Sequence, residues 1–107
     1  MLRIYSDVVA VQGELRAVFE RIRVHDADLA KQLRRAAQAI ALSMSEGMAA
    51  RDGHRRVAYE RALREARECV GNLEVAMQWG YTDHDAPLAD RLDKIVATLN
   101  RLVMPRR

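Results

Sequence analysis

The stretch Gln32–Gly47, QLRRAAQAIALSMSEG, reads as a helix that one neighbouring helix cannot cover. With successive residues about 100° apart around the axis, Leu29, Leu33, Ala37, Ile40, Met44 and Met48 form one stripe. Ala36, Ala39, Ser43, Gly47 and Ala50 form an adjacent stripe of small side chains. Together the stripes span roughly half the circumference, against the roughly 100° of an ordinary surface helix. Such a helix needs partners on two sides. Leu42 lies apart from both stripes, beside Lys31, Arg35 and Glu46, so the polar face also carries an apolar contact point.

Before this stretch, Ile4, Val8, Val11, Leu15, Phe19 and Ile22 keep one face apolar over about five turns and predict a helix over 4–24. His25, Asp26, Ala27 and Asp28 then make a short turn, with an aspartate able to cap the next helix, predicted over 27–50. Arg51, Asp52, Gly53 and His54 supply the second turn, the Asp-Gly pair being the breaker, while Gly47 is an alternative end one turn earlier. Tyr59, Leu63, Ala66, Val70, Leu73 and Met77, flanked by Ala62, Cys69 and Ala76, predict a third helix over 55–79, with Gly80 at its C-cap. Asp85 and Pro87 open a fourth, over 87–104, in which Leu88, Leu92, Ile95, Leu99 and Leu102 repeat the same steps of four and three and Pro105 ends the helix. Short loops between long helices predict an all-α single domain over 1–107, an antiparallel up-down-up-down four-helix bundle.

Composition agrees. At 107 residues the chain is long enough for one core without disulfides or metal, and half of it is hydrophobic with only two prolines and five glycines, a balance that favours helix. The single cysteine, Cys69, sits among apolar helical positions and reads as a buried structural thiol, as suits a reducing compartment. The opening MLRIYSD lacks the apolar run of a signal peptide, and no segment reaches the ~18 apolar residues of a membrane span, so a cytoplasmic protein with no membrane partner is expected. Lysine and arginine exceed aspartate and glutamate by 18 to 15, too small an excess to mark a nucleic-acid binder by itself.

The residues Gln32-Leu33-Arg34-Arg35-Ala36-Ala37, Ser45-Glu46-Gly47 and the stretch from Ala62-Leu63 to Gly80-Tyr81 resemble the bacterial four helix bundle proteins encoded in intervening sequences of ribosomal RNA genes. The accessory variability protein of diversity-generating retroelements is similar to these. The resemblance covers nearly the full length and implies a left-handed antiparallel bundle, a ring of five identical chains and no catalytic activity. For the retroelement member it implies a basic protein that binds a reverse transcriptase and nucleic acid. Ser43 stands where that family usually has asparagine, and Arg64-Glu65 replace a small Gly-Ser pair that would permit close backbone approach.

The residues themselves also argue against an enzyme. None of the seven glutamates is followed three residues later by histidine, as a di-iron bundle requires. Glu65 and Glu68 are three apart among arginines and read as surface ion pairs. His25 and Asp26, with His84 and Asp85, occupy two loops at one end without the spacing of a zinc motif, so no metal site is assigned. Glu46 and Glu74 interrupt apolar surroundings but have no nucleophile or phosphate loop beside them. Met44, Met48, Met77 and Met104 read as core fillers, and Trp79 and Tyr81 as closing the bundle's end. No cofactor and no small-molecule substrate is implied.

The charge distribution is more informative than its total. Bundle topology puts the N-terminus, the second turn and the C-terminus at one end, which gathers Arg3, Arg51, Arg55, Arg56, Arg101, Arg106 and Arg107 against Asp7 and Asp52. The first and third turns share the other end, with Asp26, Asp28, Asp83, Asp85 and Asp90 against Arg23. In a cyclic homo-oligomer the arginine ends gather on one rim, where they can contact nucleic acid or an acidic protein. Ala36, Ala39, Leu42, Ser43 and Gly47 are the expected oligomer interface. The alternative is an adaptor that holds a protein partner through Leu42 and the broad apolar face, without nucleic-acid binding.

Overall fold

Apolar residues spaced three and four apart run through every expected helix, and in the computed structural model, which describes residues 2–104, each of these runs is helical. The segments are α1 (Arg3–Ala10), α2 (Gln12–Arg23), α3 (Ala27–Ala49), α4 (Asp52–Gln78) and α5 (Ala86–Val103), with no strand among the described residues. α1 and α2 continue one helical path. Val11 between them keeps right-handed helical torsions (φ −77°, ψ −11°), donating to the Asp7 carbonyl at 3.1 Å and accepting from the Leu15 N–H at 3.0 Å. The cause of the interruption lies beside it. The Gln12 side-chain amide donates both to the Val8 carbonyl (3.2 Å) and to the Ala37 carbonyl of α3 (2.9 Å), inserting into the helical ladder and tying the joint to its neighbour.

Four rods therefore alternate in direction, with the first contacting α3 and α5, and α4 closing the set between them, in an all-α four-helix bundle. Its Cα envelope is 44 × 21 × 19 Å, the long dimension being that of the 27-residue α4 at ~1.5 Å per residue. No described helix is long and apolar enough to cross a membrane.

The ends are set by local chemistry. Asp26 and Asp85 cap α3 and α5 by accepting the Leu29 and Leu88 N–H groups at 2.9 and 3.0 Å. α4 ends in a Schellman turn: Gly80, at φ +75°, donates to the Met77 carbonyl, and Tyr81 donates to the Ala76 carbonyl. Between α3 and α4 only Ala50 and Arg51 are extended, so α4 begins at Asp52, three residues before the sequence expectation. The tight turn is made by Asp52 itself, at φ +51°, rather than by Gly53.

α3 and α4 share the most extensive helix contact in the chain. Ala36, Ser43 and Gly47 of α3 and Ala58, Ala62, Ala66, Cys69 and Ala76 of α4 are all buried, two lines of small side chains that let the helices approach closely. The inward face of α4 thus differs from expectation: Val70, Leu73 and Met77 are only half-buried, lining a groove towards α5. In the first rod Val18, not Phe19, enters the core, while the half-buried Phe19 ring lies beneath the Arg34 guanidinium at 5.6 Å. Met104 is exposed, as is Trp79, which follows the last residue of α4 and turns outward. The Schellman turn returns Tyr81 to the end of the core in its place.

Candidate nucleic-acid interface

The basic end is built from three places in the chain. Arg3 opens α1, Arg51 precedes α4, and Arg101 sits in the last turn of α5, all exposed. Arg55 and Arg56 lie in the first turns of α4, and Arg106 and Arg107 fall outside the described residues. These arginines are not equivalent. Arg55 folds back over the end of α3, its Nε and Nη2 donating to the Ala50 carbonyl at 3.1 and 2.9 Å and its Nε also to the Gly47 carbonyl at 3.2 Å. It satisfies the Ala50 carbonyl just past the helix end, adds a second donor to the Gly47 carbonyl, and places positive charge at the negative end of a helix dipole. Arg56 is shared with Glu60 at 2.9 Å, and Arg101 donates to the Thr98 hydroxyl at 3.2 Å. Arg3 and Arg51 have no side-chain partner among the described residues, which leaves their guanidinium groups available to an external anion.

Two further cations extend this surface. Arg91 and Lys94 of α5 line a groove of about 250 Å³ together with Arg3, Ile4 and Asp7 of α1. Arg91 pairs with Glu14 across the bundle and Lys94 with Asp90 along its own helix at 3.1 Å. Sequence reading missed them because it grouped charges by loop. Only the lateral contact of α1 with α5 brings them beside Arg3.

At the opposite end the first and third connections meet. The His25 and Tyr81 rings stack at 5.1 Å with 6° between planes, and the Arg21 Nε donates to the Thr82 hydroxyl at 3.2 Å. His84 Nδ1 lies 3.2 Å from the Met77 sulfur.

The expected oligomer face is corrected by burial. Ala36, Ser43 and Gly47 are covered within the chain by α4, and the Tyr59 ring lies so close to Gly47 that an added Cβ would sit 2.2 Å from Tyr59 Cε1. Ala39 is half-buried and Leu42 is 64% exposed, so these two remain available to another molecule.

The outer face of α4 carries a carboxylate pair rather than the expected ion pairs. Neither Glu65 nor Glu68 joins an ion pair among the described residues, whereas Glu46 pairs with Arg61 at 2.8 Å. Burial, and then the hydrogen bond and charge of Glu68, raise the Glu65 carboxyl above its ordinary value, against the opposing pull of Arg64 and Arg35. Burial, reinforced by these carboxylates, pushes the Cys69 thiol up to about 12, so it is not a thiolate nucleophile at neutral pH.

No protein-family model matches the chain, and no curated protein matches it. The fold is shared with a crystal structure of a protein of unknown function from the S23 ribosomal protein family of Bacteroides thetaiotaomicron VPI-5482. The TM-score is 0.87 at 15% identity, over 95% of this chain and 99% of that one.

Proposed function

We propose that this chain is a non-enzymatic homo-oligomeric bundle protein, of the kind encoded in ribosomal RNA intervening sequences, whose arginine-bearing end contacts nucleic acid. The observation that carries this reading is the exposure of Arg3 and Arg51 without side-chain partners among the described residues, with Arg101 exposed in the last turn of α5. The fold shared with a protein of an S23 ribosomal protein family supports it. In a ring of five, as the resemblance implies, the same arginines repeat around one rim, and affinity accumulates from contacts that are individually weak. Phosphate contacts of this type release counterions, so binding falls steeply with salt.

The test is fluorescence anisotropy with an RNA hairpin and a DNA duplex at low and high salt, on the wild type and on Arg3→Ala/Arg51→Ala/Arg101→Ala. The substitutions lower affinity and flatten the salt dependence. Weak binding that the triple variant leaves unchanged overturns the reading. Arg55 is excluded from this set because it holds the end of α3, and its loss acts on stability. The exposure of Leu42, at 64%, favours the second reading, an adaptor that holds a protein partner without nucleic acid. Copurification after nuclease treatment separates the two, since a protein partner survives digestion.

A further inference from the structure

The end of the bundle opposite the arginines carries an aromatic groove. Trp79 is 72% exposed, a degree of solvent contact that a large apolar ring rarely has without a partner. Its indole stacks on Tyr81 at 6.3 Å with 29° between planes, and Tyr81 in turn stacks on His25. Three rings thus follow one another in a single stack with the indole at its outer end. Between this stack and the start of α3 lies a groove of about 390 Å³, lined by Asp26, Asp28, Gln32, Val75, Trp79 and Tyr81.

The charges on this groove select its occupant. Two carboxylates, Asp26 and Asp28, lie in its lining, and no lysine or arginine lines it. Asp26 uses one oxygen, Oδ1, to cap α3, and neither Asp26 nor Asp28 joins an ion pair among the described residues. Of the arginines near this connection, Arg23 pairs with Glu20 at 3.1 Å and Arg21 donates to the Thr82 hydroxyl, while Lys31, one turn beyond Asp28 on α3, does not line the groove. A phosphate-bearing ligand meets repulsion here. A wholly apolar ligand would desolvate two carboxylates without compensation. A planar cation satisfies both surfaces at once, stacking on the indole and donating hydrogen bonds to the carboxylates. Arginine does this better than lysine, because guanidinium is flat, weakly hydrated and forked. The same molecule already places the Arg34 guanidinium over the Phe19 ring at 5.6 Å.

We propose that the groove between the start of α3 and the end of α4 binds an arginine-bearing peptide segment of a partner protein, with a guanidinium lying against Trp79 and held by Asp28 and Asp26. This site stands apart from the arginine end and does not depend on nucleic-acid binding there. The two ends would take partners of opposite charge.

Trp79 is the chain's single tryptophan, so its fluorescence reports the site directly. The full chain is titrated with a short blocked arginine–alanine peptide, its lysine and glutamate counterparts, and a single-stranded oligonucleotide. The arginine peptide produces a saturable change in Trp79 emission, about tenfold tighter than the lysine peptide. Asp28→Asn weakens it about tenfold, and added salt weakens it further. Calorimetry on Trp79→Ala, whose exposed position leaves the core intact, shows the binding lost, while Arg3→Ala/Arg51→Ala leaves it unchanged. The proposal is overturned by the absence of a saturable change, by equal affinity for the arginine and glutamate peptides, by indifference to Asp28→Asn, or by a response to the oligonucleotide alone.

Discussion

Gly47 is where one atom decides how closely α3 and α4 approach. A Cβ there would lie 2.2 Å from Tyr59 Cε1 and 2.6 Å from Cδ1, and Tyr59 is 5% exposed, so its ring would have to shift within the core. Gly47→Ala is expected to cost about 1–3 kcal/mol, the usual range for forcing extra volume into a filled core, despite alanine's better helix propensity. Urea unfolding of Gly47→Ala and of Gly47→Ala/Tyr59→Leu measures it. The double variant recovers part of the loss if the clash is the cause, and a Gly47→Ala chain as stable as the wild type refutes the clash. Asp52 is the second such residue: its φ of +51° disfavours side chains that cannot satisfy a left-handed backbone. Asp52→Val is expected to lose about 1–2 kcal/mol in the same assay, and Asp52→Gly to lose little or none. The Asp-Gly pair marked this turn in the sequence, but either residue can adopt positive φ, and only the two-residue connection settles it on Asp52. Val18 and Phe19 pose the same problem. Steps of three and four from Leu15 are both helical, and the choice follows from where Arg34 of α3 covers the ring.

At the scale of the element, α4 explains both what periodicity reveals and what it hides. Its existence, its Gly80 cap and its amphipathic character follow from the sequence alone. Which of its two adjacent apolar stripes faces inward does not, because a stripe of alanines becomes the tighter seam only opposite another line of small residues. Ala36, Ser43 and Gly47 provide that line, and the bulkier Val70, Leu73 and Met77 are displaced towards α5. The outer face of α4 then brings Glu65 and Glu68 together. Since the folded state raises the Glu65 carboxyl above 4.5, it binds that proton more tightly than the unfolded chain does. The associated stability is fully present below the unfolded value and is lost as pH rises through the folded one. Glu65→Gln removes this dependence, so the variant gains stability relative to wild type on the alkaline side of the window, and urea midpoints across pH measure the difference. Parallel curves for the two proteins would show that the carboxylate pair is relaxed by solvent. The same helix buries Cys69, whose thiol is expected to resist iodoacetamide in the folded protein at mildly alkaline pH and to react fully once urea unfolds it.

For the whole molecule, charge polarity was legible because a bundle's topology fixes which connections share an end. The lateral pairing of α1 with α5, which adds Arg91 and Lys94 to the basic surface, was not legible, since no sequence distance encodes it. Of the five residues expected at an oligomer face, burial within the chain removes Ala36, Ser43 and Gly47 and leaves Leu42 and Ala39. If assembly uses that remaining face, Leu42→Glu places a charge in the contact while touching nothing in the core, Leu42 being 64% exposed. Light scattering is then expected to show a smaller particle at equal concentration, with a urea midpoint no lower than that of a dispersed wild-type chain. Nucleic-acid affinity falls with it, because dispersing the rim removes the gain from simultaneous contacts although every arginine is still present. Arg51→Ala behaves in the opposite way, lowering affinity while leaving the mass unchanged. This crossed result ties the α3 surface to assembly and the arginine end to contact. A Leu42→Glu chain that keeps the wild-type mass puts the interface on another face, and one that disperses yet binds as tightly detaches nucleic-acid contact from assembly.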